Sequence, residues 1–182
     1  WEGLVYHFTS RGSRFNKHAG GAAGINSKEW IHTTNKNMRN FIRKWGTPVR
    51  HDPFMKPIVP SKYNIGFIIK NCNDKLLQLE PWCDNMYVDN EYVEYITSEQ
   101  PNTKLDLYDR IKPYDNEKQN DILVEIDGTT FTQQDFEYLQ QLPAILDDNI
   151  LLEEDYGEQF SVGNLILNII KIETYEKELI IC

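Results

Sequence analysis

The clearest pattern along the chain is a helical periodicity of apolar residues between Ser27 and Gly46. The apolar positions are Trp30, Ile31, Met38, Phe41, Ile42 and Trp45. Their spacing predicts a helix that has Ser27 as its N-cap and ends at Gly46. The opposite face would display the basic side chains of Lys36, Arg39, Arg43 and Lys44.

A βαβ unit is predicted downstream. Asn64 to Lys70 is an apolar run rich in β-forming residues, and Asn85 to Val88 is a second short strand. Between them, Asn73 or Asp74 can cap a helix over Lys75 to Trp82. A strand, a helix and a strand in this order are typical of a parallel sheet.

The same order recurs later in the chain. Asp121 to Ile126 reads as a strand, and Thr132 can cap a helix through Leu142 with Asp135 in the capping-box position. Either a weak internal duplication or a shared α/β architecture explains the recurrence.

The segment from Gln159 to Cys182 predicts two or three strands, with Gly163-Asn164 as a turn. Together these patterns predict an α/β protein: a βαβ-containing acidic module preceded by a basic strand-loop-helix segment.

Three segments are expected. The first, residues 1–46, holds a strand at Trp1 to Phe8, a Gly/Ser/Arg-rich loop at Ser10 to Gly24 and the helix. The second, residues 47–62, contains four prolines, which argue against regular structure and indicate a linker. The third, residues 63–182, is the acidic module.

Charge is divided unevenly along the chain, whose net charge is -9. Residues 1–62 hold 11 Lys or Arg against 3 Asp or Glu, while the remainder holds 8 against 25. A basic segment favours a small phosphorylated ligand, and the acidic remainder disfavours extended nucleic acid. Docking to a protein partner or an upstream domain also fits, as does mutual attraction of the two parts within one fold.

The cysteines are Cys72, Cys83 and Cys182, an odd number without a CxxC pair. This favours a reducing, cytoplasmic compartment over a disulfide framework or a zinc site. No run of eighteen apolar residues exists, so no membrane span and no membrane partner are expected. The start at Trp1, without methionine, suggests a fragment or a processed product.

The most suggestive chemistry lies in the stretch from Val5 to Arg14. Arg11 and Arg14 can give bidentate contacts to a pyrophosphate, the Ser13 hydroxyl can add a hydrogen bond, and the glycine between them lets backbone amides approach the anion. His7 can ligate a divalent metal through neutral imidazole. A basic surface loop beside a strand-capping histidine is the structural alternative.

This Tyr-His-Phe strand and Ser/Arg/Gly loop resemble the late segment of family 2 glycosyltransferases of the GT-A type. The helix ending Phe41-Ile42-Arg43-Lys44-Trp45-Gly46 is similar to the tails of phage or bacterial members. The resemblance implies that His7 ligates Mn²⁺ or Mg²⁺ at a nucleotide-sugar diphosphate, which Arg11, Ser13 and Arg14 contact. The family's Asp-x-Asp motif and catalytic carboxylate lie upstream of such a histidine, so this chain would be the C-terminal part of the enzyme and inactive alone.

Two other functions stay open. One is a non-enzymatic interaction module, such as a phage structural or inhibitor protein with an acidic binding face. The other is a mono-ADP-ribosyltransferase, because Tyr6 to Ser10 resembles the first strand of that family. Tyr95 and Glu125 would then be candidate site residues.

Other groups favour structural roles. Gly20 to Gly24 lacks the Gly-Lys-Ser/Thr ending of a phosphate loop, and His51-Asp52 is either a base with its orienting carboxylate or exposed loop polarity. The downstream carboxylates are predicted to be solvated, and Cys72 and Cys83 to be buried. The carboxylate groups are Asp84 with Asp89, Glu91 with Glu94, Asp147-Asp148 and Glu153-Glu154-Asp155.

Overall fold

The computed structural model describes residues 28–58, 61–90, 92–148, 157 and 159–172. The chain divides into two compact units, Trp1–Arg39 and Asn40–Cys182. The first unit is described only by the N-terminal part of a helix, and the predicted strand and loop at residues 1–24 lie outside the described residues. The limits predicted for the three segments stay predictions.

Helix α1 spans Lys28–Trp45 and confirms the helical periodicity. It ends where predicted, because Gly46 adopts φ 73 and donates its amide to the Ile42 carbonyl at 2.6 Å. Glycine tolerates this left-handed conformation. The predicted N-cap, Ser27, lies outside the described residues.

The proline-rich stretch after α1 forms a small antiparallel hairpin of β1 (Arg50–His51) and β2 (Pro57–Ile58). The prediction of no regular structure is therefore wrong at these four residues. Proline is tolerated at the edge of so short a ladder because its missing N–H breaks no central pairing.

A six-stranded mixed sheet forms the body of the second unit, with strand order β5-β4-β3-β6-β8-β7. Its strands are β3 (Ile65–Lys70), β4 (Asn85–Val88), β5 (Ile111–Pro113), β6 (Ile122–Asp127), β7 (Gln159–Val162) and β8 (Leu165–Ile169). The first four are mutually parallel, while β8 runs antiparallel to β6 and β7 antiparallel to β8. The predicted α/β class and βαβ unit are confirmed.

Strand β3 lies at the centre of the parallel part, and five of its six residues are buried. This explains its continuous apolar sequence, which is typical of a parallel strand covered on both faces. Gly66 fits the same crowding, since a Cβ there would lie 2.5 Å from the Asn120 Oδ1 atom.

Short helices connect the parallel strands. They are α2 (Asp74–Leu77), α3 (Val93–Glu99) and α4 (Leu107–Arg110). Asn73 caps α2, accepting from the amides of Lys75 and Leu76. The predicted helix over Lys75 to Trp82 ends at Leu77 in the structure. A separate 3₁₀ turn spans Glu80–Trp82, because Pro81 disfavours the α-helical conformation at the residue before it.

Helix α5 spans Gln133–Asp148 and continues past its predicted end at Leu142. Pro143 lies inside it. Leu139, Leu142 and Leu146 are all buried on one face, and this burial offsets the hydrogen bond that proline removes. None of the helices in the described part of the chain has the length and apolar character that crossing a bilayer requires.

Asp135 joins the start of α5 to the β7–β8 turn. Its Oδ2 atom accepts from the Thr132 amide at 2.8 Å and hydroxyl at 2.7 Å, which confirms the predicted capping box. Its Oδ1 atom accepts from the Asn164 amide at 2.9 Å, in the predicted turn where Gly163 adopts φ 61. Burial raises the pKa of Asp135, but the hydrogen bonds from Asn164 and Thr132 lower it by more, so the pKa lies below its usual value.

We predict that Asp135→Asn lowers the free energy of unfolding by about 2 kcal/mol near neutral pH, because the amide cannot accept all of these bonds. A carboxylate with a depressed pKa stabilises the fold above its unfolded pKa, and that contribution is lost as the pH falls through the folded pKa. The difference between wild type and variant, measured by urea unfolding, should therefore shrink below about pH 4. Glu137→Gln, the same change at an exposed position of α5, should have little effect. A pH-independent difference would contradict this explanation.

Candidate functional site

The predicted donor-site residues His7, Arg11, Ser13 and Arg14 lie outside the described residues, and so does the Gly20 to Gly24 loop. Their roles stay predictions.

The place in the described fold where a ligand would ordinarily bind is the carboxyl end of β3 and β6. These two strands are neighbours, but the chain leaves β3 towards β4 and leaves β6 towards the β8 side. In open α/β sheets, ligands bind in the crevice that such diverging connections create. The segments that would line it begin at Asn71 and at Gly128.

The β4 side of this crevice is occupied by the chain's own carboxylate. Asp89, directly after β4, accepts from the Asn71 amide at 2.6 Å and from the Cys72 amide at 3.0 Å, using both of its oxygens. In dinucleotide-binding folds an acidic residue some twenty positions after the first glycine loop binds a ribose hydroxyl. Here both oxygens of Asp89 hold the loop after β3 in place.

The β6 side is closed by a second carboxylate. Asp127 Oδ1 accepts from the Asn71 Nδ2 atom at 3.0 Å, and from the Thr129 amide and hydroxyl at 2.9 and 2.7 Å. The bonds from Thr129 and Asn71 lower the pKa of Asp127. Both carboxylates therefore hold the loop after β3, and Asp127 also holds the loop that follows its own strand.

The two loops also touch directly. The Gly128 amide donates to the Lys70 carbonyl at 2.9 Å. A Cβ at Gly128 would lie 2.2 Å from the Asn71 carbonyl oxygen and 2.7 Å from Leu76 Cδ1. Only glycine fits this approach, so the crevice is closed by backbone contact.

The two described cysteines are free and buried, as predicted. Burial, together with the nearby Asp89 carboxylate, raises the pKa of the Cys72 thiol to about 12. Burial likewise raises the pKa of Cys83 well above its usual value. Neither thiol would supply a thiolate nucleophile at neutral pH.

His51-Asp52 is part of the β1–β2 hairpin. Asp52 Oδ1 accepts from the amides of Phe54 and Lys56, both at 2.8 Å. This carboxylate therefore stabilises the turn, which agrees with a structural role for the pair in an exposed loop.

Two more of the carboxylates that were predicted to be solvated have structural partners. Asp84 accepts from the Ile65 amide at 3.1 Å, and Asp147 accepts from the Tyr63 hydroxyl at 2.7 Å. Glu91 and residues 153–155 lie outside the described part. Within the part that is described, no three His, Cys, Asp or Glu residues are grouped so that they could hold a metal ion.

Tyr95 and Glu125, the candidates for ADP-ribosyl transfer, have separate partners. The Tyr95 hydroxyl donates to Glu80 at 3.2 Å, and Glu125 accepts from Asn168 at 3.2 Å.

The strongest electrostatic feature is a buried ionic centre around Glu80, whose side chain is fully buried. Arg43, at the end of α1, donates to Glu80 Oε2 through Nη2 at 2.6 Å and to both carboxylate oxygens through Nε. The same Nη2 reaches Glu99 at 2.9 Å. The prediction that Arg43 lies on a displayed face is therefore wrong, because it pairs with two carboxylates inside the fold.

Arg110 completes the centre, donating from Nε to Glu80 Oε1 at 2.7 Å. Two guanidiniums thus face two carboxylates, Glu80 and Glu99. Burial opposes the charge on Arg43, but its bonds to Glu80 outweigh burial and raise the pKa of Arg43. Glu80 could have been noticed in the sequence, because it is a charged residue within the largely apolar run Leu76 to Trp82. No neighbouring residue in the sequence indicates its partners.

A groove of about 150 Å³ lies between the end of α1 and the hairpin. Phe41, Trp45, Val49, Arg50 and Ile58 are among its lining residues. Small-molecule pockets are typically about 300–1,000 Å³, so this volume is small for an enzyme substrate. Its lining is mainly apolar, with Arg50 as its charged member.

Comparison of the chain with protein-family models, with curated proteins and with solved structures finds no match.

We predict that Gly128→Ala lowers the free energy of unfolding by about 3 kcal/mol, because its Cβ would meet backbone and force the two loops apart. Gly157→Ala is the control: Gly157 has φ 87 but open space around it, so about 1 kcal/mol is expected. Urea unfolding of both variants measures the difference. An equal or smaller loss at Gly128 would show that the crevice is open.

Arg43→Met should lower the free energy of unfolding by about 3–5 kcal/mol, because the buried carboxylates of Glu80 and Glu99 lose one of the two guanidiniums that face them. Lys44→Met, at the next and exposed position, should change it little. Thermal and urea unfolding measure both. A small effect at Arg43 would mean that water or rearrangement compensates the Glu80 carboxylate.

Proposed function

We propose that this chain is part of a glycosyltransferase that uses a nucleotide-sugar donor. Residues 1–46 contribute the donor-site loop, and the α/β module is a non-catalytic accessory module that contacts other macromolecules. The observation that carries the second statement is the closed crevice, in which Asp89 and Asp127 bind the chain's own loops. A module that served as a second active site would leave these groups available to a ligand.

The donor-site role is supported by the resemblance of the Tyr6 to Arg14 stretch to family 2 enzymes. His7 is the proposed ligand of Mn²⁺ or Mg²⁺, and Arg11, Ser13 and Arg14 are the proposed diphosphate contacts. The divalent ion would neutralise charge that develops on the leaving diphosphate. Guanidinium groups of Arg11 and Arg14 would add fixed positive charge at the same oxygens.

The proposed location is the cytoplasm, supported by the free thiols of Cys72 and Cys83. A second candidate is a wholly non-enzymatic interaction protein, such as a phage structural or inhibitor protein. The closed crevice and the acidic composition of residues 63–182 favour it. Nucleotide binding separates the two candidates.

We predict that the full chain binds UDP, or another nucleoside diphosphate, in the presence of Mn²⁺. His7→Ala should weaken this binding at least about tenfold, because a metal ligand is lost. Isothermal titration calorimetry measures both affinities. His51→Ala, which removes a histidine from the hairpin, is the matched control and should leave the affinity unchanged.

Arg11→Ala and Arg14→Ala should also weaken the binding, and should do so without metal as well, since they act on the diphosphate directly. Absence of nucleoside diphosphate binding by the wild-type chain would favour the non-enzymatic candidate. Equal affinity of wild type and His7→Ala would remove His7 from the site.

A further inference from the structure

The β1–β2 hairpin presents two large apolar side chains at its tip. Phe54 is 83% exposed and Met55 is 75% exposed. The turn that carries them is well defined, since Asp52 Oδ1 accepts from the amides of Phe54 and Lys56 at 2.8 Å each. Met55 has φ 63, a left-handed conformation that is unfavourable for a non-glycine residue and often found at functional positions.

The strands of the hairpin join its tip to the apolar groove. Arg50, Pro57 and Ile58 belong to the hairpin strands and also line the groove, so the tip and the groove belong to one surface. We name the exposed apolar part of this surface the hairpin patch. It consists of Trp45, Val49, Phe54, Met55 and Ile58.

Basic residues predominate in the stretch of chain that carries the hairpin patch. Lys44, Arg50, His51 and Lys56 are exposed in the same stretch of chain. Lys44 Nζ lies 5.1 Å from the centre of the Trp45 ring. Between residues 40 and 58 the sequence has one acidic residue, Asp52, and its Oδ1 atom is bound by the turn amides.

We propose that the hairpin patch adsorbs to the surface of an anionic lipid bilayer. Phe54 and Met55 enter the interfacial layer, while Lys44, Arg50 and Lys56 contact lipid phosphates. Exposed aromatic and apolar side chains with a basic surround are the chemistry of peripheral membrane binding. Trp45 adds an amphipathic ring of the kind enriched at the membrane–water interface.

A bilayer fits this surface better than a peptide does. The two most exposed large apolar side chains of the described residues, Phe54 and Met55, lie at a turn, and exposed side chains at a turn insert readily into a deformable interface. The groove behind it, at about 150 Å³, offers space for little more than one side chain of a peptide. An acidic peptide therefore becomes an outcome of the test.

This proposal is independent of the donor-site assignment. It departs from the sequence expectation of no membrane partner, which was based on the absence of an apolar run long enough to span a bilayer. The net charge of -9 opposes approach to an anionic surface. Because salt screens charges beyond about 8 Å at physiological ionic strength, the basic groups of the hairpin dominate the interaction once they touch the lipid phosphates. Adsorption should therefore be reversible and sensitive to salt.

The test is co-sedimentation of the full chain with phosphatidylcholine vesicles containing about one-third phosphatidylserine, and with phosphatidylcholine alone. We expect binding to the anionic vesicles only, weakened several-fold between about 0.1 M and 0.5 M salt. Phe54→Ser with Met55→Asn should reduce the partition coefficient at least about tenfold. Asparagine is chosen because it tolerates a positive φ.

A charge variant, Arg50→Glu with Lys56→Glu, should reduce the partition coefficient by about fivefold or more for each cation lost. Tyr108→Ser is the matched control, since Tyr108 is a 58% exposed aromatic residue on α4. It should bind anionic vesicles like the wild type. Circular dichroism confirms that each variant is folded.

The proposal is overturned if the wild type fails to bind anionic vesicles, binds neutral vesicles equally, or is matched in binding by the tip variant. Saturable binding of a Leu/Glu-rich peptide without vesicle binding would identify an acidic peptide as the occupant and also overturn it. Self-association in sedimentation velocity, lost in the tip variant and without vesicle binding, would identify a second copy of the chain instead.

Discussion

The Glu80 carboxylate is the constraint around which the described structure is arranged. It is fully buried, and it receives hydrogen bonds from Arg43 in α1, from Tyr95 in α3 and from Arg110 in α4. A buried carboxylate is costly unless donors surround it, so these three elements are held at fixed distances from the turn that carries Glu80. One arginine of the basic first third is thereby paired with the acidic remainder, which agrees with attraction between the two parts.

The hairpin follows the C-terminal turn of α1, and Phe54 and Met55 at its tip are the most exposed large apolar side chains among the described residues. At the carboxyl edge of the sheet, by contrast, the polar side chains are bound within the fold. There Asp89, Asp127 and Gly128 join the loops after β3 and β6, and the place where such folds ordinarily bind ligands is filled by the chain itself.

Sequence reasoning succeeded where the cause of a structure is local. The helical spacing that ends at Gly46 and the capping box of Thr132 and Asp135 depend on residues within a few positions of each other. It failed where the cause is distant, because any of 28 acidic residues could have paired with Arg43. The continuation of α5 through Pro143 likewise depended on burial that no local pattern reveals, and the closed crevice required the sheet order.

The most direct test of the central claim is a double-mutant cycle at Arg43 and Glu80, with Arg43→Met, Glu80→Gln and the double variant compared by urea unfolding. If the buried pair fixes α1 to the module, the free energies of the two single changes will not add, and their coupling energy will be about 2 kcal/mol or more. Additivity within about 0.5 kcal/mol would contradict it, because independent sites behave in that way.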